Sequence, residues 1–257
     1  MTSGKTKALD IKAVFLDLSG VLYDGERVIP GAPEMVAELR EHQLLLRFVT
    51  NTATKTRSDI VDKLRDLGFN LSSDELYTAP DAALAYIRTH KLHPFALVHT
   101  SIKPSFEMQF QGEPDCVVLG DAREELSYAN LNRAFRLVKA GCPLIAIGDN
   151  KYFLDGDVLS LDAGAFVQAI CWAADASPII MGKPGADFFT QVTNSTDLPP
   201  EQCLMVGDDI LGDIEGAQNA GLQACLVRTG KYQQGDENRL QPAARVIDSI
   251  TELTTLL

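Results

Sequence analysis

Four short stretches of the chain combine residue types that can hold anions, metal ions or a reactive carboxylate. In AVFLDLSGVLYDG an apolar run ends in Asp17, and Gly20 permits a tight reversal just after it. A carboxylate at a strand end is exposed and immobile, as a nucleophile or metal ligand must be. FVTN ends a second apolar run in Thr50 and Asn51, which can offer a hydroxyl and backbone amides to an anion. MGKP sets Lys183 before a proline suited to a helix start, where an ammonium could neutralise a phosphate oxygen and a carboxylate together. CLMVGDDILGDIEGAQNAG runs a third apolar stretch into Asp208, Asp209 and Asp213. Acids so close, with no basic residue among them, repel one another unless a cation sits between them, and hard oxygen ligands suit Mg²⁺. Taken singly, each stretch has a plain structural reading: a turn-capping Asp, a helix cap, a surface lysine, a solvated acidic loop.

What joins them is the elements that must position them. Apolar runs bounded by turn signals recur along the chain: AVFLD at 13–17, LLLRFVT at 44–50, FALVHT at 95–100, CVVLG at 116–120, LIAIG at 144–148, CLMVGD at 203–208 and ACLVRTG at 224–230. Amphipathic segments lie between them, which predicts alternating strands and helices and a mostly parallel sheet. Ile60, Val61, Leu64 and Leu67 share one face of a helix that Gly68 ends. Pro184 begins another, carrying Phe188, Phe189 and Val192 inward. Asp17, Thr50 and Asp208 each sit at the C-terminal end of an apolar run, the edge where open parallel sheets bind ligands. The stretch 78–178 has three apolar runs but no acidic cluster to pair with the others. It reads as an inserted domain, with 1–77 and 179–257 forming the core around it.

At 257 residues and 46% hydrophobic composition the chain can bury a sizeable core. The formal charge of -12, with no basic block to offset it, argues against nucleic acid and anionic membrane as partners. The first twelve residues, MTSGKTKALDIK, lack an apolar stretch of the kind a signal peptide carries, and no window is long enough to span a bilayer. The five cysteines are odd in number, widely spaced and mostly within apolar runs, which predicts reduced, buried thiols. A cytoplasmic protein is expected.

In the order Asp, Thr, Lys, Asp-Asp, the four signals resemble the motif set of the haloacid dehalogenase (HAD) superfamily, over the whole chain. DLSGVLYDGERVIPGA followed by VTNTATKT is similar to its NagD-type branch, whose cap domain is inserted after the second motif. DLSG together with RTGKY at 228–232 resembles the phospholysine phosphohistidine inorganic pyrophosphate phosphatase group. The resemblance implies an α/β fold: a Rossmann-like core with a parallel sheet, plus an inserted α/β cap at 78–178. It further implies a phosphohydrolase in which Asp17 attacks phosphorus to give an acyl phosphate that water hydrolyses. Mg²⁺ would be held by Asp17, the carbonyl of Ser19 and Asp208, with Asp213 or Asp209 reaching it through water. Thr50, the amide of Asn51 and Lys183 would take the other phosphoryl oxygens.

One position departs from the family pattern. Most phosphatases of the superfamily carry a second Asp where this chain has Ser19, and that Asp protonates the leaving group. A serine hydroxyl is too weak an acid for the task, so either another group supplies the proton or the substrates have good leaving groups, as pyrophosphate, phosphoramidates and aryl phosphates do. A HAD-fold binding or scaffold protein with little turnover is the alternative. A receiver domain disagrees in order and size, since its acidic pair follows the first strand. In the inserted segment, Asp149, Asn150, Lys151, Tyr152, Asp162, Ala163 and Gly164 are candidates for reading the substrate, and AFVQAICWAA could serve a homodimer or be a buried helix.

Overall fold

The computed structural model describes residues 10–107, 112–155 and 158–257. Most of the N-terminal stretch MTSGKTKALDIK, residues 1–9, lies outside them. Ten strands in two sheets organise the chain: β1 Ala13–Asp17, β2 Leu45–Thr50, β3 Leu76–Thr78, β4 Pro94–Leu97, β5 Cys116–Leu119, β6 Leu144–Ala146, β7 Ile179–Ile180, β8 Cys203–Gly207, β9 Gln223–Val227 and β10 Arg245–Ile247. Two-stranded ribbons are added by Tyr23–Asp24 with Arg27–Val28 and by Tyr152–Asp155 with Val158–Leu161.

The larger sheet runs β10-β9-β8-β1-β2-β3. β1 lies near its middle, parallel to β8 on one side, with Leu16 opposite Val206, and to β2 on the other, with Asp17 opposite Val49. β8 and β9, and β9 and β10, are likewise parallel. Every residue of β1 and of β8 is buried, as expected of strands covered on both faces. The second sheet runs β7-β6-β5-β4, again parallel through its paired strands. Its core joins Val117, Leu119, Leu144 and Ala146 to Ala134 and Val138 of the helix Tyr128–Lys139 and to Val167, Ile170 and Cys171 of the helix Ala163–Ala174.

The chain forms two compact units. One comprises Met1–Val49, Val61–Leu76 and Phe189–Leu257, the other Thr50–Ile60 and Tyr77–Phe188. The predicted amphipathic helix is found at Arg57–Asp66, with Ile60, Val61 and Leu64 buried and Gly68 just beyond it at φ +91°. The helix expected from Pro184 starts later, at Ala186. Gly185 donates to the carbonyl of Gly182, so Lys183 and Pro184 occupy a turn before the first helical residue. Phe188, Phe189 and Val192 are buried as expected. In the helix Ala163–Ala174 the buried face is Val167, Ile170, Cys171 and Ala174, while Trp172 is 86% exposed. All five cysteines are free and four are buried.

Phe15 is fully buried in β1 between β8 and β2. Phe15→Ala is expected to lower stability by about 3–5 kcal/mol, read as a shift in the urea midpoint at unchanged slope.

Candidate active site

Parallel pairing of β1 with β8 puts two strand ends side by side. Asp17 is the last residue of β1, Asp208 follows the last residue of β8, and Asp213 lies in the helical turn Ile210–Glu215 that comes next. Each of these three buried acids offers an oxygen, and the oxygens all lie within 4.8 Å of one another. Two unit charges at such a separation repel by on the order of 3 kcal/mol at an effective dielectric of about 20. The fold holds three of them together.

Asp208 shows how. Its Oδ2 accepts from the backbone N–H of Lys231 at 2.7 Å, whereas its Oδ1 is buried with no hydrogen-bond partner among the described residues. Burial, then the charges of Asp17 and Asp213, push its pKa up to about 7, against the opposing pull of the Lys231 amide. Backbone crowds this carboxylate from two sides. A Cβ at Gly20 (φ +85°) or at Gly230 (φ +62°) would overlap the Asp208 carboxylate, so both positions need glycine for space as well as for conformation. The Thr229 hydroxyl donates to the Gly20 carbonyl and joins the two loops.

An orphaned, buried carboxylate oxygen beside two further carboxylates fits a small hard cation such as Mg²⁺. Asp209 is used differently. Its Oδ1 accepts from the N–H groups of Leu211 and Gly212 at 3.0 and 2.9 Å, and its Oδ2 takes the Lys231 ammonium at 3.1 Å. Its own N–H donates to Asp213 Oδ2 at 3.1 Å. Burial alone would raise the Asp209 pKa, but the Lys231 charge and the two amides outweigh it and hold the group below its ordinary range. Ser19 is exposed and forms an isolated bridge with Tyr23.

The other predicted residues belong to the second unit. Thr50, buried at the end of β2, shares a hydroxyl–hydroxyl hydrogen bond of 2.9 Å with Thr52 and accepts from the Thr52 N–H. Asn51 forms a reciprocal pair with the backbone of Lys183: its Nδ2 donates to the Lys183 carbonyl at 2.7 Å and its Oδ1 accepts the Lys183 N–H at 2.8 Å. The side chain of Asn51 thus fixes the backbone from which the buried Lys183 projects. The candidates 149–151 and 162–164 also come together. Gly164 donates to the Asn150 carbonyl, Asp162 donates to the Lys151 carbonyl, and the Asp162 side chain caps the helix Ala163–Ala174. Sequence reasoning did not single out Thr229, Gly230 or Lys231 for the site. Their signal was the RTGKY stretch following an apolar run.

Comparison with known proteins places this geometry. A haloacid dehalogenase-like hydrolase profile matches residues 14–112, and a HAD-hydrolase-like profile matches 180–253. The chain is 40% identical over 233 residues to haloacid dehalogenase-like hydrolase domain-containing protein 2 of Bos taurus, covering 91% of this chain and 90% of the relative. It is 36% identical over 254 residues to the phospholysine phosphohistidine inorganic pyrophosphate phosphatase of Homo sapiens, covering 96% and 94%. Among solved structures, a 4-nitrophenylphosphatase from Thermotoga maritima superimposes with a TM-score of 0.87 at 27% identity, covering 96% of this chain and 97% of that one. NagD from E. coli K-12 shares the fold, with a TM-score of 0.83 at 23% identity over 94% and 98% of the two chains. With relatives this similar over nearly their whole length, the chain belongs to the haloacid dehalogenase superfamily of hydrolases and is a phosphatase of that superfamily.

Proposed function

We propose that the protein is a Mg²⁺-dependent phosphohydrolase that works through an aspartyl-phosphate on Asp17 and acts on small phosphorylated compounds with good leaving groups. The observation that carries this reading is the group of three buried carboxylates, one at the end of β1 and one with an orphaned oxygen. Asp17, Asp208 and Asp213 would hold the metal together with the Ser19 carbonyl, with Asp209 at the edge of this set. Bound Mg²⁺ supplies charge neutralisation, so that an anionic nucleophile and an anionic phosphoryl group can meet. A carboxylate oxygen of Asp17 attacks phosphorus, and the bond from phosphorus to the leaving oxygen or nitrogen breaks with its electron pair. Water then attacks the acyl phosphate, returning the Asp17 carboxylate and releasing phosphate. In this reading Thr50, the Asn51 amide and Lys183 take the remaining phosphoryl oxygens.

With a serine at position 19, the leaving group departs without a donated proton. The relatives named as pyrophosphate, phospholysine and phosphohistidine phosphatase, and the 4-nitrophenylphosphatase of the same fold, support substrates whose leaving groups need none. Residues 78–178 are the inserted cap domain in this reading. The free, mostly buried thiols support a cytoplasmic setting. Exposed Trp172, Tyr152, Leu159 and Leu161 of the second unit support a homodimer, which a mass measurement in solution would test. Among the described residues no helix is long and apolar enough to cross a membrane.

The deciding assay measures phosphate release from pyrophosphate and p-nitrophenyl phosphate with and without Mg²⁺. Activity with both substrates, abolished by EDTA, is expected, and Asp17→Asn should remove it, because an amide is not a nucleophile. Retention of a tenth of the rate would exclude Asp17 from its role. Across phosphate esters the rate should fall steeply as the leaving group becomes more basic. Ser19→Asp should raise the rate on alkyl esters by about 10², if the full general-acid effect is recovered, and change pyrophosphate hydrolysis little.

Stability should also report the metal. In metal-free protein Asp208 keeps its proton up to about pH 7 when folded but ionises in its ordinary range when unfolded, so the folded state binds more protons between these limits. Stability conferred by this group is therefore lost as pH rises from about 4 to 7. Melting temperatures measured in EDTA should show that fall, Mg²⁺ should reverse it, and Asp208→Asn should flatten both responses.

A further inference from the structure

Lys231 touches both residues of the Asp208–Asp209 pair. Its backbone N–H donates to Asp208 Oδ2 at 2.7 Å, and its ammonium reaches Asp209 Oδ2 at 3.1 Å. Asp209 passes this hold onward, because its backbone N–H binds Asp213 Oδ2 and its other carboxylate oxygen takes the amides of Leu211 and Gly212. Two residues earlier, the Thr229 hydroxyl is tied to the Gly20 carbonyl in the loop after β1. Thr229 and Lys231 thus hold the loops that follow β1 and β8, where Asp17, at the end of β1, meets Asp208 and Asp213. With one oxygen of Asp208 taken by the Lys231 amide, the other is the one without a protein partner among the described residues.

We infer that Lys231 is a positioning residue for the metal carboxylates: its side chain anchors Asp209 and thereby sets the aim of Asp208 and Asp213. The inference rests on the proposed metal site. Coulomb's law alone would assign Lys231 the opposite effect. A cation next to an acid cluster repels a metal ion, so removing its charge should tighten metal binding. Its exposure argues in the same direction, because the Lys231 side chain is 65% exposed and an isolated surface ion pair adds little to stability. Position and charge therefore predict opposite signs for one substitution. Loss of groups that orient metal ligands typically weakens affinity by about 10–100-fold.

The test is direct titration of the purified full chain with Mn²⁺, followed by electron paramagnetic resonance of the free ion, for wild type, Lys231→Met, Lys231→Arg and Asp209→Asn. Thermal melting in EDTA serves as the control for folding. The expected result is that Lys231→Met binds Mn²⁺ at least about 10-fold more weakly, at the low end of that range. Lys231→Arg should stay near wild type. Asp209→Asn should match Lys231→Met, with the double variant no worse than either single one, since both break the same link. Unchanged or tighter binding by Lys231→Met would overturn the inference while leaving the metal site standing. Failure of the wild type to bind Mn²⁺ would overturn the metal site itself. Should Lys231→Met melt early in EDTA, the Asp209→Asn titration decides in its place.

Discussion

Asp17, Asp208 and Asp213 are three buried carboxyl groups whose oxygens lie within 4.8 Å of one another, and with all three ionised they would repel one another strongly. The surrounding structure meets that repulsion in part with fixed backbone, beside the charge of Lys231. Two fully buried parallel strands set the separation of Asp17 and Asp208, and their ladder cannot widen without breaking the middle of the sheet. Backbone amides of Lys231 and Asp209 hold one oxygen each of Asp208 and Asp213. Burial first, and then the neighbouring Asp17 and Asp213, raise the pKa of Asp208.

The second unit uses the same economy. Lys183 is placed by an amide side chain bonded to both polar groups of its backbone. A reciprocal pair of this kind fixes orientation more tightly than a contact to the ammonium would, because a backbone has fewer ways to rotate than four methylenes.

Much of this was legible in the sequence, and for identifiable reasons. The strands that end in Asp17 and lead into Asp208 are continuous apolar runs buried on both faces, and the one that ends in Thr50 is mostly apolar despite Arg47, so all three could be read. The short strands Leu76–Thr78, Ile179–Ile180 and Arg245–Ile247 and the ribbon Tyr152–Asp155 with Val158–Leu161 were not, because two to four residues give no periodicity. The helix after Lys183 was read two residues early, since proline marks a helix start but does not reveal a turn closed by glycine before it. Nor could the sequence show that Asn51 binds the backbone of Lys183, or that Lys231 binds Asp208, for each pairs positions far apart in the chain through groups common to all residues. The division of labour between Asp208 and Asp209 was equally hidden: two identical neighbours differ only in which way each turns.

The order of strands in the larger sheet has a further implication for a chain still leaving the ribosome. β1 is made well before its partner β8 and the loop at 229–231, which lie far along the chain. Until they emerge, Asp17 stands at the end of a strand that has only β2 beside it, and the acid group does not exist. A prematurely ended chain therefore carries Asp17 without the other two carboxyl groups that stand beside it in the finished fold.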